Sequence, residues 1–240
     1  MKTVVVTGGT RGLGLAIVRA VAAEGYRAVA VARKPTAELD RLREAFPGCV
    51  EFVAFDLAQL GGIHGLVGEI VNAFGRPWAL VNNAAVGHDG VLATQHEREI
   101  HELLRINVEA PILLAKYFLR PMLLERGGRI VNIASIIATT GFSGLSVYAA
   151  SKAALIGFTR SLAREVGKAG ITVNAVAPGY METDMTAGLE GEKLAAIRRR
   201  SPLGRLARPE DVAHAVVYLL GEKAAAVTGT TLTVDAGSTA

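Results

Sequence analysis

The stretch Val4–Ala20, VVVTGGTRGLGLAIVRA, decides how the rest of the chain is read. Branched apolar residues run into a glycine turn, and the turn runs straight into an amphipathic helix pattern over Leu15–Glu24 that stops at Gly25. The spacing is Gly8-x-x-x-Gly12-x-Gly14. At a strand-to-helix junction such glycines allow tight turning. They also let a diphosphate reach the backbone N–H groups of the helix N-terminus, where the dipole favours negative charge. The absent side chains at Gly8, Gly12 and Gly14 are therefore expected to make room for a dinucleotide.

Working outward, the remaining 240-residue chain repeats that strand–helix rhythm. Strands are predicted over Thr3–Thr7, Ala28–Ala32, Val50–Phe55, Ala79–Asn82, Arg129–Ala134, Thr172–Ala177 and Thr231–Val234. Most are continuous apolar runs, as expected of parallel strands covered on both faces. Helices are predicted over Glu38–Ala45, Leu60–Phe74, one or two within Glu97–Glu125, then Val147–Lys168 and Glu210–Leu220 behind Pro209. No linker or repeat interrupts them. The fold class expected is α/β: one Rossmann-type, doubly wound parallel sheet of about seven strands with helices on both faces, residues 1–240 forming a single domain. The glycine-broken, polar stretch 180–208 is expected to be a lid over the site.

The bulk numbers narrow the function classes. Half the residues are hydrophobic and a fifth charged, a globular composition. Cys49 is the single cysteine, so no internal disulfide forms, and a reducing cytoplasm is the simplest compartment. No uncharged apolar run reaches a membrane span, and the N-terminus lacks a signal-peptide core. The net charge of +4 is dispersed, and Arg198–Arg200 read as a solvated helix face, not a nucleic-acid patch. The five histidines form no ligand-spaced cluster, so no metal site is expected. His88 and Asp89 follow the fourth strand closely enough to border a substrate mouth.

The end of the second strand selects the dinucleotide. An NAD site wants a carboxylate there for the adenosine ribose. Here VAVARKP carries no acid before Glu38, and Arg33 stands at that place, with Arg11 inside the glycine loop as a second guanidinium. Both favour a 2′-phosphate, so NADPH/NADP+ is expected over NAD(H). Further along, Ser135 closes a strand, and Tyr148 and Lys152 lie four apart on a predicted helix among small residues, which leaves space for a ligand.

Taken together these segments resemble the short-chain dehydrogenase/reductase family nearly end to end, and within it the bacterial 3-oxoacyl-[acyl-carrier-protein] reductases. The similarity rests on TGGTRGLG (Thr7–Gly14), FDL (Phe55–Leu57), VNNAA (Val81–Ala85), INVEAP (Ile106–Pro111), NIAS (Asn132–Ser135), YAASK (Tyr148–Lys152), NAVAPGYMETDM (Asn174–Met185) and VTGTTLTVDAG (Val227–Gly237). The resemblance implies four catalytic residues, Asn107, Ser135, Tyr148 and Lys152. It also implies cofactor contacts from Gly8, Thr10, Arg11, Gly12, Leu13, Gly14, Arg33, Asp56, Leu57, Asn83, Ala84, Ala85, Tyr148, Lys152, Pro178, Gly179 and Thr183. Ala85 stands where the family has glycine, and Ala236 where a double glycine is common.

The chemistry those residues permit follows from hydride addition to a ketone, which leaves an oxygen that must be bound and protonated. Tyr148 is the expected proton donor, its phenol lowered by Lys152 and the nicotinamide. Ser135 is expected to hydrogen-bond the substrate oxygen. By resemblance Asn107 holds a water linking Lys152 to solvent. The expected reaction is NADPH-dependent reduction of a 3-oxoacyl thioester in fatty-acid or polyketide biosynthesis. The alternatives are acetoacetyl-CoA or another small ketone, and a non-catalytic NADP(H) sensor, which the four retained residues disfavour. An acyl carrier protein is expected to dock through Arg126, Arg129 and Lys168, and the chain to form a homotetramer by pairing its long helices.

Overall fold

The computed structural model describes residues 1–181 and 198–240. Seven parallel strands form one sheet in the order β3-β2-β1-β4-β5-β6-β7. They are β1 Thr3–Thr7, β2 Arg27–Ala32, β3 Val50–Ala54, β4 Ala79–Asn82, β5 Gly128–Ile133, β6 Ile171–Pro178 and β7 Thr231–Val234. The order reverses between β1 and β4, so the carboxyl ends of those two strands open a crevice where ligands bind in such sheets.

Alternation along the strands builds two cores. Val4 and Val6 of β1 face one side, with helices α1 (Gly12–Ala23), α2 (Ala37–Ala45) and α8 (Pro209–Leu220). Val5 faces the other, with α3 (Ile63–Phe74), α5 (Ala110–Glu125) and α7 (Ser146–Val166). Strands apolar on both faces are thus covered on both faces.

Helix boundaries depart from the sequence pattern at informative places. Leu60–Gly62 is a separate 3₁₀ turn before α3. The stretch from Glu97 to Glu125 is two helices, α4 (Glu97–Leu104) and α5, joined by a π turn over Arg105–Glu109 that carries Asn107. A short helix, α6 (Ile137–Thr140), and a 3₁₀ turn at Leu92–Thr94 carry no pattern long enough to read. Most of the expected lid at 180–208, and with it Thr183, lies outside the described residues. Among the described residues no helix is long and apolar enough to cross a membrane.

Candidate active site

The glycine loop is shaped first by the protein's own backbone. Gly14 sits so close to the end of β1 that a Cβ there would lie 2.0 Å from the Gly8 carbonyl oxygen, so no side chain fits. Gly8 has φ +66° and packs on Ala84, where a Cβ would meet Cα at 3.0 Å. Only Gly12 behaves as the diphosphate argument expects. Its φ is +52°, and nothing lies within 4 Å of where its Cβ would stand. Open space at the first residue of α1 leaves a cradle at a helix N-terminus, which fits a dinucleotide diphosphate. Gly8 and Gly14 are thus required to be glycine by the protein's own packing, whatever ligand their backbone also meets.

Neighbouring loops are tied to this cradle. Thr7 Oγ1 accepts from the backbone N–H groups of Asn83 and Ala84, both at 3.0 Å, and Asn83 Nδ2 donates to the Thr7 carbonyl at 2.9 Å. The Asn83 side chain therefore fastens β4 to β1. Thr36 Oγ1 donates to the Thr10 carbonyl at 2.7 Å and caps α2 by accepting from Leu39 N. That staple fixes the loop after β2 against the glycine loop. Arg11 and Arg33 are both exposed there, available to an anion. Leu13 and Ala85 are half-buried. Asp56 spends Oδ1 on the Ala58 amide, and Leu57 is packed into the core beside α3, so its backbone alone remains for a ligand.

Ser135, Tyr148 and Lys152 meet at the carboxyl end of β5. The Ser135 hydroxyl lies close enough to the Tyr148 phenol to hold its titration down. The Lys152 ammonium lies 5.6 Å from the Tyr148 ring centroid, 2 % exposed, and donates to the Ile133 carbonyl at 2.8 Å. Burial lowers Lys152 from 10.5 to about 8. Burial also pushes the Tyr148 phenol up to about 12, with the Ser135 hydroxyl opposing and the Asp89 carboxylate adding. The expected lowering of Tyr148 is thus not a property of the chain alone, because desolvation outweighs every favourable partner in it.

Asn107 is fully buried. Its Oδ1 accepts from Val86 N at 2.9 Å, and its Nδ2 donates to Val86 O at 2.9 Å and to Ser151 Oγ at 3.3 Å. Ser151 in turn donates to the Tyr148 carbonyl at 2.7 Å. This side chain links the loop after β4 to the turn of α7 that carries Tyr148, which leaves only its backbone groups for a water. A second buried amide chain went unread in the sequence. Asn82 Nδ2 donates to Asn132 Oδ1, and Asn132 Nδ2 to Thr159 Oγ1, each at 2.9 Å, bracing β4, β5 and α7 behind the site. The cue was polar residues at strand positions predicted to be buried.

Pro178 accepts from Ile136 N at 3.0 Å, which locks the end of β6 to the segment after Ser135. A Cβ on Gly179 would lie 2.5 Å from that of Asp235, so the turn after β6 is glycine because β7 passes there. His88 Nε2 lies 3.3 Å from Glu102 Oε2, turned to α4, whereas Asp89 is exposed and its charge adds to the upward shift of the phenol. Arg129 is the clear correction. Expected at a carrier-docking surface, it is 3 % exposed with its guanidinium stacked 4.6 Å over Trp78, at the opposite end of β5. Arg126 and Lys168 are exposed.

Comparison with known proteins places this arrangement. The family profile described as enoyl-(acyl carrier protein) reductase matches residues 8–239. The 3-oxoacyl-[acyl-carrier-protein] reductase FabG of Vibrio cholerae is 38% identical over 98% of this chain and 96% of its own. Carbonyl reductase family member 4 of Xenopus tropicalis is 39% identical over 98% and 97%. The crystal structure of a putative NAD(P)-dependent gluconate 5-dehydrogenase from Beutenbergia cavernae, with bound NADP, superposes with a TM-score of 0.93 at 37% identity, covering 99% of this chain and 96% of that one. With matches that span the glycine cradle and the Ser–Tyr–Lys corner alike, the chain belongs to the short-chain dehydrogenase/reductase family of oxidoreductases.

Proposed function

We propose that the chain is an NADPH-dependent reductase of a 3-oxoacyl thioester. The observation that carries the reading is the convergence of the Ser135 and Tyr148 hydroxyls with the Lys152 ammonium 5.6 Å from the phenol ring, at the crevice end of the sheet. Two neighbouring hydroxyls can share one acceptor, and a ketone oxygen suits that role. NADPH, when bound over the Gly12 cradle with its 2′-phosphate near Arg11 and Arg33, supplies the hydride.

The chain's own residues do the rest. Ser135 donates to the ketone oxygen and holds it. Tyr148 is protonated at neutral pH, since its phenol titrates at about 12, and so carries a proton to give. As negative charge grows on the oxygen, that proton passes to it. Lys152 then faces a phenolate, and its ammonium, drawn from its carbonyl partner, stabilises that charge. Asn107 keeps Tyr148 in place through Ser151, and its backbone is left to hold the water that returns the proton.

The thioester part of the reading is supported by the relatives named as 3-oxoacyl-[acyl-carrier-protein] reductases. Arg126 and Lys168 are exposed and their positive charge suits an acidic carrier, but they stand before β5 and β6, at the end of the sheet away from the hydroxyl pair. Exposed Leu104 and Ile112 on α4 and α5 suit contact between copies in a homotetramer. The putative gluconate dehydrogenase makes a sugar acid the competing substrate class. The test is NADPH oxidation with an acetoacetyl thioester against 5-ketogluconate, with NADH run in parallel. Faster turnover of the thioester, with NADPH, is expected. Preference for the keto acid, or for NADH, ends the corresponding half of the proposal.

A further inference from the structure

Around the mouth of this site three large apolar side chains stand in water among polar ones. Phe142 is 60% exposed, Val91 64% and Leu92 55%. Local structure explains why they cannot retreat. Gly141 closes α6 at φ +68°, and a turn from Phe142 to Leu145, with Leu145 N donating to Phe142 O at 3.1 Å, runs through Gly144 at φ +84°. The turn holds Phe142 outward. After β4, Thr94 N donates to Val91 O at 2.9 Å, and Val91 and Leu92 lead into the 3₁₀ turn. The two loops are pinned together by Gly90 N donating to Gly144 O at 2.9 Å. They therefore present one rim, contributed by the carboxyl ends of β4 and β5. Gly144 stands four residues before Tyr148, which lies in the first turn of α7, and Gly90 of the other loop is hydrogen-bonded to Gly144, so the rim borders the reacting corner.

Three large apolar side chains held in water at a site entrance are costly unless something apolar covers them. Only the ketone of the proposed substrate must lie at the hydroxyl pair. The thioester's carrier arm and the alkyl tail diverge from it, and of the two the apolar rim suits the tail, since the arm is lined with amides that want polar partners. We infer that Phe142, Val91 and Leu92 form a rim that receives the alkyl tail of a medium-length 3-oxoacyl substrate, and that this rim sets chain-length preference and disfavours polyhydroxy acids. The inference rests on the thioester reading above, and it adds the length and polarity of the group accepted.

A fully buried methylene is worth about fourfold in binding, and a half-covered one about twofold. Four added methylenes on a half-exposed rim give roughly 10- to 16-fold. Calorimetry on the NADP+-loaded enzyme with the non-reducible butanoyl and octanoyl thioesters of N-acetylcysteamine reads this without turnover. Octanoyl is expected to bind about tenfold tighter, and Phe142→Ser to bring the ratio within about twofold, with Leu92→Ser showing the same trend. Equal affinities in the unaltered enzyme overturn the inference, as does a ratio that survives Phe142→Ser. A ratio that survives while sedimentation shows smaller assemblies identifies the rim as a contact between copies and overturns it too. Turnover of the matching 3-oxoacyl thioesters separates the two readings. A tenfold binding ratio with no NADPH oxidation leaves the rim standing and removes the reductase reading. Oxidation with flat binding removes the rim alone.

Discussion

Two buried cations touch opposite ends of β5 and are surrounded in opposite ways. At the amino end, Arg129 donates to Gly128 O at 2.9 Å, lies over the only tryptophan of the chain, Trp78, and stands 3.9 Å from Glu222, which Lys2 also pairs at 2.5 Å. At the carboxyl end, Lys152 has one carbonyl and the Tyr148 ring. Burial lowers both cations, but Glu222 counters it at Arg129, whereas desolvation is the only cause acting on Lys152. A charge that only holds the fold gathers partners. A charge that must answer a phenolate formed during a reaction is given a carbonyl but, among the described residues, no anion beforehand, and the fold bears that cost.

The largest effects should come from the under-partnered end. Tyr148→Phe is expected to lower kcat by about 10³ while NADPH affinity stays within twofold, read by steady-state kinetics and fluorescence titration. Near-normal turnover would remove Tyr148 as the donor. Lys152→Met should also cost at least about 10² in kcat, yet stabilise the chain at neutral pH by about 1 kcal/mol, because deleting a desolvated ammonium outweighs the donor lost from Ile133 O. Below about pH 8 the lysine is charged both folded and unfolded, and the full penalty applies. Between about 8 and 10.5 the folded chain sheds a proton that the unfolded chain keeps, so the parent's stability rises with pH. The advantage of Lys152→Met should therefore shrink across that window in denaturant titrations. An advantage that does not change with pH would show that burial does not act on this ammonium.

The well-partnered end should show the reverse. Arg129→Ala leaves a gap against Trp78 and removes a donor from Gly128 O, at a cost of about 3 kcal/mol. For a domain of this size that lowers Tm by about 6–12 °C. Turnover per folded molecule should be unchanged, since Arg129 lies across the sheet from the hydroxyl pair. Trp78 emission should shift to the red as water reaches the ring. Lost turnover with an unchanged Tm would return Arg129 to a functional surface.

The same contrast marks what the sequence could tell. All seven strands were legible because residues such as Val4, Val5 and Val6 are apolar without alternation, which only two covered faces explain. Tyr148 and Lys152 were legible because four residues on a helix is a fixed geometry. Arg129 was not, because its burial depends on Trp78, a residue 51 positions earlier that arrives only through the pairing of β4 with β5. The π turn at Asn107 escaped for a similar reason. Its register is set by Val86 and Ser151, neither of which is near it in sequence. Gly14 was found, but not the Gly8 carbonyl that also excludes its side chain, since spacing shows that a side chain is excluded and not everything that excludes it.

Backbone strain gives the smallest break of the comparison. Two described non-glycine residues have positive φ, one beyond each end of the sheet: Arg126 at +50° just before β5, and Ala236 at +57° just after β7. Ala236 is held there on both sides. Its carbonyl accepts from Ser201 Oγ at 2.6 Å, and the Asp235 carboxylate before it gathers Gly237 N, Ser238 Oγ and both donors of Thr239. Those contacts fix a left-handed residue whatever its side chain, at about 1–2 kcal/mol for alanine. Ala236→Gly removes that strain but gives the unfolded chain more freedom, worth about 0.4–1 kcal/mol the other way. The balance is a gain of about 0.5 kcal/mol, or a Tm rise of about 1–2 °C, with kcat unchanged. A Tm that falls instead would mean that the Asp235 turn relaxes around alanine, and that the carboxyl edge stores its cost in the buried ammonium alone.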